Sequence, residues 1–593
     1  MPCLPGASAA NLRRAGWARR ACWAVALVVL GGLEPAVAAG GGAEGLQRAI
    51  REARGRLSAL EGRLAEARAS YLDVPTQRAG VAVSLSRMAL DTAGLLLATE
   101  PGQQEARVWV GRGERYLREA AMCLVPSRGT EVRGMLIDAS SLPRTEAGVV
   151  GLVAQLGRAH FNLLVPEVLR RGYAIYGSGL TERDPEFQGR PDLLRVLIRE
   201  AHRHGMEVHP WIWTLRVRSP GYGNPVLGRL PGLAARADGK EPRFLSAAHP
   251  DAREYVYALV EELADRYDVD GLLLDYIRYD EEVPEDDVSR TRFSLAYRAR
   301  HGTLPPAVIP PGSPLHDEWQ LWREQQVHLT VRELAQQLRS RHPRFPIAAA
   351  VFRGEGYARR RKLQHWRHWA DNAWIDWPAP MLYTARRDEL SRWLGWETDR
   401  HTRSHMIVPI LGVHRFTSPD NLVEQWQQLQ AEQVPGGMVF ALGHFDLAQL
   451  DDLRAGPFRE PATLPHRNLI RATRKTLAQA AWYLGQVHAQ ADFETAASAD
   501  MLRRELSAVM VHLPLGETPY RQNGALLMRL ASLEALAEAA PMPAGVRREL
   551  RHRLRYAAAL VKANQFRLDR TRYVPPSRPP QAAAQARATL AGG

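Results

Sequence analysis

Cysteine is scarce in this 593-residue chain: there are three, too few for a disulfide framework. Cys3 and Cys22 lie near the N-terminus, and Cys123 lies in the apolar stretch 120–124, where we expect a buried small side chain. Long charge-free apolar runs do not recur, which excludes a polytopic membrane protein. Contents of 45% hydrophobic and 24% charged residues also exclude a collagen-like or wholly disordered chain.

The N-terminal segment has the pattern of a secretory signal peptide over residues 1–38. Arg13, Arg14, Arg19 and Arg20 precede an apolar run that is shorter than the ~20 residues of a membrane-spanning helix. Ala36-Val37-Ala38 then provides a small-x-small cleavage site. We therefore predict a secreted or periplasmic protein, with an uncleaved N-terminal anchor as the alternative.

The charge of the chain predicts an anionic partner. The formal net charge is +14, and removal of the signal peptide leaves the remainder basic. A cell-wall polymer or a membrane surface fits both the charge and the predicted secretion. Nucleic acid fits the charge but not the signal peptide, so no nucleic-acid partner is expected.

Two regions have helical periodicity. In residues 43–126, apolar residues spaced four and three apart predict a helical hairpin or small bundle. Residues 464–572 form a second helical region with a leucine stripe, and residues 573–593, rich in Pro, Ala and Gln, predict a disordered tail. The seam of the first region is Leu46, Ile50, Ala53, Leu57, Leu60, Leu64 and Ala67, and the stripe of the second is Leu526, Leu527, Leu530, Leu533 and Leu536.

Residues 131–458 alternate short apolar runs with amphipathic segments. Eight apolar runs without polar alternation predict strands buried on both faces of a parallel sheet. We therefore predict an α/β fold, a (β/α)8 TIM-type barrel flanked by N-terminal and C-terminal helical regions. A doubly wound sheet is the alternative, but no glycine-rich phosphate loop follows the first strand. The predicted strands are Val132–Ala139, Phe161–Val168, Met206–Trp213, Gly271–Ile277, Phe345–Phe352, Ile375–Tyr383, His405–Val413 and Gly437–Gly443.

Acidic, aromatic and histidine side chains cluster where these predicted strands end. The carboxyl ends of the strands carry the chemistry of a (β/α)8 barrel. Carboxylates with aromatic rings suit a carbohydrate site, where rings stack on sugars and two carboxyl groups perform acid and base steps. The candidates at these ends are Asp138, Glu167, His209, Trp211, Trp213, Asp275, Arg278, Glu355 and Tyr383.

Asp275 is the strongest single candidate. It directly follows three leucines, and a buried carboxylate is costly unless it is paired or functional. Arg278 lies three residues later, so a purely structural Asp275–Arg278 ion pair is the alternative. A metal site formed by His209 with Asp138 and Asp275 is a further alternative, but no H-x-x-x-H spacing supports it. We predict no metal and no cofactor. A G-x-S-x-G motif is also missing, which disfavours a serine esterase.

Residues 131–445 contain an ordered series of motifs, which includes Phe161-Asn162 and Tyr176-Gly177-Ser178. The longer stretches are 133–138 (RGMLID), 201–211 (AHRHGMEVHPW), 248–255 (AHPDAREY), 267–279 (YDVDGLLLDYIRY) and 374–383 (WIDWPAPMLY). Taken in this order, the motifs resemble bacterial glycosyl hydrolase-like family ten. Two departures stand out: Glu167 occupies a position that is often glutamine, and 172–174 lacks an acidic residue often found there.

The resemblance implies a TIM-type barrel that hydrolyses glycosidic bonds, in some members those of envelope glycans such as peptide-free peptidoglycan. It implies that Asp275 is the general acid or base. We expect Asp275 to protonate the leaving oxygen and take Glu355, and next Glu167, as the second carboxylate, which acts as base or nucleophile. The sugar contacts it implies are Asp138, His209, Trp211, Arg278 and Tyr383, and we add Tyr176 and Trp213 as further candidate contacts.

Two other functions remain open from the sequence. A non-catalytic glycan-binding envelope protein would use the same rim to hold a saccharide. A metal-dependent carbohydrate hydrolase, such as a deacetylase, would require bound metal.

Overall fold

The computed structural model describes residues 42–219, 221–223, 225–229, 242–280, 286–398, 406–418, 420–514 and 521–571. The predicted signal peptide, the predicted C-terminal tail and His405 lie outside these described residues. The chain divides into two compact units, one of Met1–Ala65 with Thr76–Ala121 and the other of Glu66–Pro75 with Met122–Gly593.

The first unit is helical, as the sequence predicts. Its helices are α1 (Ala43–Ala69), α2 (Thr76–Leu95) and α3 (Glu100–Cys123), the ends of α1 and α3 belonging to the second unit. All seven side chains of the predicted seam in α1 are buried, which confirms that face of the helix. Leu46 of α1 joins Ala93 of α2 and Val110 of α3 in one apolar core.

One described segment of this unit is long and apolar enough to cross a membrane by length and composition. It is Thr76–Ala98, with a mean hydropathy of 1.4 in its most apolar window. The side chains of Ala79, Val83 and Leu90 on one face of α2 are buried. This pattern is also that of a packed core helix.

The second unit contains a closed parallel barrel, which confirms the predicted (β/α)8 fold. Each of the eight predicted runs contains a strand, and β1 pairs with both β2 and β10, so the sheet closes. The strands are β1 (Val132–Ile137), β2 (Leu163–Arg170), β3 (Tyr173–Ala174), β4 (Glu207–Val208), β5 (Trp211–Trp213), β6 (Leu272–Asp275), β7 (Ile347–Val351), β8 (Trp377–Leu382), β9 (Ile410–Gly412) and β10 (Gly436–Phe440).

The third barrel strand is interrupted. β4 and β5 both pair with β2 in parallel, and they are separated by His209-Pro210. Proline has no N–H to donate to a neighbouring strand, but the carbonyl of Pro210 accepts from the N–H of Leu273, 2.9 Å away. The short β3 pairs antiparallel with the end of β2 outside the closed ring.

Helices surround the barrel. Thr145, Asp192 and Asp286 each cap a helix N-terminus by accepting a backbone N–H, which fixes where three of the connections begin. The helices are α4 (Glu146–Arg158), α5 (Leu193–Arg203), α6 (Pro225–Arg229), α7 (Pro250–Arg266), α8 (Asp287–His301), α9 (Pro314–Arg341), α10 (Glu355–Lys362), α11 (Trp366–Asp371), α12 (Arg387–Thr398), α13 (Asn421–Ala431) and α14 (Gln449–Ala455).

A helical bundle follows the barrel in the same unit. It consists of α15 (Leu469–Gln490), α16 (Phe493–Val511), α17 (Asn523–Ala539) and α18 (Ala544–Thr571). Leu526, Leu530 and Leu533 of the predicted stripe are buried, and Leu527 is partly buried. Leu536, the last residue of the stripe, is 40% exposed.

This bundle packs against the amino-terminal end of the barrel. Leu469 and Tyr556 belong to the same apolar core as Val132, at the start of β1. The Tyr556 hydroxyl donates to the carbonyl of Thr130, 2.9 Å away and two residues before β1. The bundle therefore covers the end of the barrel at which the strands begin.

A buried polar network crosses this junction. One carboxylate oxygen of Glu207 lies 3.0 Å from His209 Nε2 and 2.8 Å from His466 Nε2. Arg467 binds the other carboxylate oxygen of Glu207 and also lies 2.6 Å from Asp270, which precedes β6. Strands of the barrel and the segment leading into the bundle are thus joined through one glutamate.

Replacing Glu207 with alanine should destabilise the second unit. The change leaves His209 and His466 buried without their shared acceptor, and breaking a buried ion pair costs about 3 kcal/mol. Urea denaturation followed by circular dichroism measures the effect, with the exposed Glu505→Ala in α16 as the control. Equal stability of the two variants would contradict this assignment.

Candidate active site

Three carboxyl groups lie at the carboxyl ends of the strands, as predicted from their positions in the sequence. Asp138 directly follows β1, Glu167 lies in β2, and Asp275 ends β6. Glu167 and Asp275 are only 5% and 7% exposed, whereas Asp138 is partly exposed. Buried carboxyl groups at this end of a barrel are candidates for catalysis.

Asp275 accepts three hydrogen bonds. The donors are Arg278 Nη1 at 2.7 Å, Trp211 Nε1 at 3.1 Å and the backbone N–H of Tyr276 at 2.6 Å. The Asp275–Arg278 ion pair, which the sequence analysis raised as the structural alternative, is therefore present, and Trp211 holds the same carboxylate.

Glu167 has a different environment. One carboxylate oxygen accepts the backbone N–H of Ala139 at 3.0 Å, and Arg170 lies 3.9 Å away, engaged more closely with Asp184 at 2.8 Å. Burial raises the pKa of Glu167 to about 7, although the Ala139 N–H and Arg170 act in the opposite direction. A carboxyl group with this pKa can carry and donate a proton near neutral pH.

Asp138 is held by three donors. The hydroxyls of Ser140 and Ser141 lie 2.6 Å from it, and the N–H of Gly443 donates at 2.9 Å. Partial burial acts to raise the pKa of Asp138, but these hydrogen bonds outweigh it and lower the pKa. A Cβ at position 443 would lie 2.4 Å from the Ser141 hydroxyl, so glycine is required for this contact.

Aromatic side chains line the same end of the barrel. Trp213 packs against Tyr276 with ring centres 4.7 Å apart, and Tyr383 stacks on Phe440 at 5.3 Å. All four rings are partly exposed. Burial raises the pKa of Tyr383, as does the nearby charge of Asp275, so its hydroxyl stays neutral. The rings offer faces on which a sugar can stack.

Tyr276 and Phe440 were not among the residues predicted from the sequence. Tyr276 has a φ of 49°, a left-handed conformation that bulky residues seldom adopt. This turn directs the Tyr276 N–H to Asp275. Phe440 is the last residue of β10. The available sequence signal was the position of Phe440 at a strand end. This signal is weak, because an apolar residue there resembles an ordinary core residue.

The structure places His209 outside the group of side chains that meets at the strand ends. His209 lies four residues before Trp213, roughly 13 Å lower along an extended strand. Its ring packs against Trp377, the first residue of β8, and against His466. The proposed metal site of His209 with Asp138 and Asp275 is therefore not assembled.

Tyr176 is also placed elsewhere. After the antiparallel turn of β3 the chain runs along the outside of the sheet, where Tyr176 is fully buried. Its hydroxyl donates to Glu262 of α7 at 3.2 Å, and its ring packs edge-on against Tyr267. The structure therefore separates Tyr176 from the carboxyl and aromatic side chains at the strand ends.

Glu355 begins α10, directly after β7, but its partners belong to the helical layer. His365 Nε2 lies 3.2 Å from its carboxylate and Arg367 lies 3.3 Å from it. His365 in turn contacts Glu324 of α9, 3.3 Å away. These contacts favour a structural role for Glu355 and leave Glu167 as the better-placed second carboxylate.

The end of the barrel that carries Asp138, Glu167 and Asp275 is called the mouth below. Two groups of side chains among the described residues could hold a metal ion, and neither includes these three carboxyl groups. They are Glu207 with His209 and His466, and Glu324 with His328 and His365. Arg467 binds the first carboxylate and Arg359 binds the second, at 2.8 Å. A cation already paired with each carboxylate opposes the binding of another.

Residues 144–412 match the family model described as Glycosyl hydrolase-like 10. The match is shorter than residues 131–445, over which the motifs resemble the family. Proteins named glycosyl hydrolase DigH, from Escherichia coli K12 and from Shigella flexneri, are 23% identical over 269 residues, which span 40% of this chain and 57% of each relative. The chain therefore covers little more than half the length of these relatives.

Solved structures were also compared. The catalytic domain of β-amylase from Paenibacillus polymyxa aligns at 9% identity over 56% of this chain and 96% of that chain, with a TM-score of 0.41. The β-galactosidase from Rahnella sp. R3 aligns at 14% identity over 53% and 51% of the two chains, with a TM-score of 0.40. The barrel assignment rests on the strand register described above.

Replacing Glu167 with glutamine should change how stability depends on pH. The unfolded glutamate ionises near its ordinary pKa of about 4.3, but the folded one ionises only near 7. The wild type therefore loses stability as the pH rises between these values, and the variant does not lose this component. Urea denaturation across this pH range tests the difference, with Glu505→Gln as the exposed control. Identical pH dependence in wild type and Glu167→Gln would contradict the raised pKa.

Proposed function

We propose that the protein is a glycoside hydrolase, starting from the match of residues 144–412 to the family model described as Glycosyl hydrolase-like 10. The observation that carries the proposal is the contrast between two buried carboxyl groups at one end of the barrel. Burial raises the pKa of Glu167 to about 7, while Asp275 accepts three hydrogen bonds, one of them from Arg278. Two carboxyl groups in opposite electrostatic environments are suited to acid and base roles.

In this mechanism Glu167 is the general acid. Its protonated carboxyl group donates a proton to the glycosidic oxygen, and the bond from that oxygen to the anomeric carbon breaks. Asp275, which accepts hydrogen bonds from Arg278 and Trp211, either removes a proton from the attacking water or attacks the anomeric carbon itself. This reverses the order expected from the sequence, which gave the acid role to Asp275.

The aromatic side chains of the mouth hold the sugar. Trp213, Tyr276 and Tyr383 present partly exposed rings beside the carboxyl groups. The negative faces of such rings attract the polarised C–H groups of a pyranose. Asp138, fixed by Ser140 and Ser141, can accept a sugar hydroxyl.

We propose a bacterial envelope polysaccharide as the substrate, with the glycan strands of peptide-free peptidoglycan as the first candidate. The signal-peptide pattern of residues 1–38 supports a secreted or periplasmic location. The net charge of +14 supports association with an anionic cell-wall polymer or membrane surface. The family resemblance supports an envelope glycan.

A non-catalytic glycan-binding protein is the second candidate, and one observation favours it. Asp275 is almost fully buried and its charge is balanced by Arg278 at 2.7 Å. A carboxylate neutralised in this way can serve as a structural group beneath an aromatic saccharide site. The two candidates differ in whether bonds are cleaved.

A digestion experiment distinguishes them. The purified protein is incubated with intact sacculi, with peptide-free glycan strands and with other polysaccharides, and released fragments are identified by mass spectrometry. Asp275→Asn and Glu167→Gln should each lower turnover by about 10²-fold or more, because each removes a proton-transfer or charge-stabilising group. Asp451→Asn, at an exposed position in α14, is the matched control.

The pH profile adds a second test. Wild-type turnover should decline as the pH rises through about 7, because Glu167 then loses the proton that it donates. Full activity of Glu167→Gln would exclude the acid role. Retention on a glycan without any released fragment would favour the binding protein.

A further inference from the structure

A small aromatic pocket lies in the connection between β6 and β7. This connection contains α8 and α9, and its apolar residues Phe293, Ile309 and Trp319 form a separate small core. The pocket lies outside the group of carboxyl and aromatic side chains described above.

The length of α9 places the pocket on the same face of the barrel as the mouth. Arg253, in the first turn of α7, pairs with Glu333 of α9 at 3.1 Å, and Arg341 pairs with Asp265, near the end of α7, at 2.7 Å. The two helices therefore run in the same direction, away from the mouth. The part of α9 that precedes Glu333 extends roughly 28 Å beyond the start of α7.

The start of α8 is on this face as well. Its N-cap, Asp286, follows the segment after β6. In the first turn of α8, the hydroxyl oxygen of Ser289 lies 3.3 Å from the hydroxyl oxygen of Ser246. Ser246 precedes α7 in the connection that follows β5. The pocket between α8 and α9 therefore lies on the side of the barrel where the strands end, in the connection that follows Asp275.

The pocket combines aromatic rings with polar side chains. Phe293, Tyr297 and Trp322 form its apolar part, and Trp322 stacks on Trp319 with ring centres 5.4 Å apart and planes 11° apart. Tyr297 and Trp322 are partly exposed. This stacking holds the Trp322 ring in one orientation.

The polar part is fixed by ion pairs. Glu318 lies 2.8 Å from Arg300 and 3.1 Å from His301, and Gln325 is exposed at the rim. Carboxylate, guanidinium and amide groups can each form two hydrogen bonds with neighbouring hydroxyls. Rings of fixed orientation beside such groups match a sugar, which presents a C–H face and a rim of hydroxyls.

We propose that this pocket is a second saccharide site, which binds a distant part of the polysaccharide chain held at the mouth. The proposal deepens the proposed function and rests on it, because it assumes a polymeric glycan as substrate. A second contact raises the effective concentration of the chain at the mouth. It therefore strengthens binding of long chains and leaves short ones unaffected.

The test measures binding in the full-length Asp275→Asn protein, so that cleavage does not consume the probe. The probes are long peptide-free peptidoglycan strands and a tetrasaccharide from the same material. Trp322→Ala should weaken binding of the long strands by about tenfold, as expected for loss of one aromatic contact. Binding of the tetrasaccharide should not change.

A second variant changes only exposed residues, so that a loss of binding in it is not caused by unfolding. Arg300 and Gln325 are exposed, so Arg300→Ala/Gln325→Ala removes polar contacts without disturbing the Trp319–Trp322 stack. It should also weaken binding of long strands selectively. Trp482→Ala is the matched control, since Trp482 is 51% exposed on α15.

The outcomes separate this proposal from the proposed function. Unchanged binding of long strands in both pocket variants would overturn the second site, and so would equal weakening for long and short probes. Hydrolysis by the protein with Asp275 intact would still establish the glycoside hydrolase. Selective weakening without hydrolysis by that protein would support the second site on a binding protein.

Discussion

Pairing of β1 with both β2 and β10 closes the parallel sheet and gives its two ends different roles. All strands of the ring run in the same direction, so their carboxyl ends meet at one face. Asp138, Glu167 and Asp275 come from three different strands and meet there for this reason. In an open sheet the same residues would be spread along one edge.

The opposite end of the barrel serves stability. There Glu207, His209 and His466 form a buried network that joins the strands to the segment leading into the helical bundle. Trp213 belongs to the same broken strand as His209 and lies at the mouth. One short strand thus contributes to the anchoring of the bundle and to the candidate site.

Electrostatics separates the two carboxyl groups beyond what residue type could indicate. Burial has the largest effect on the pKa of Glu167, and Arg170 lies closer to Asp184 than to Glu167. Asp275 meets a guanidinium, an indole N–H and a backbone N–H. The acid and base roles that we propose rest on these hydrogen-bond partners, which for Asp275 come from β5 and from the turn after β6.

The sequence by itself determined the strands, the barrel and the regions that are helical. Apolar runs of strand length and heptad-like spacing are local signals, and the seven seam residues of α1 are buried as the spacing predicts. It also located Asp138, Glu167 and Asp275 at strand ends. Only the tertiary structure decided which side chains share a site. His209 and Tyr176 resemble site residues locally. His209 lies too far from the carboxyl end of its strand to reach the mouth, and the reversal of the chain at β3 places Tyr176 outside the sheet. Such placement depends on contacts with Glu207, His466 and Glu262, which are distant in sequence and have no local signal.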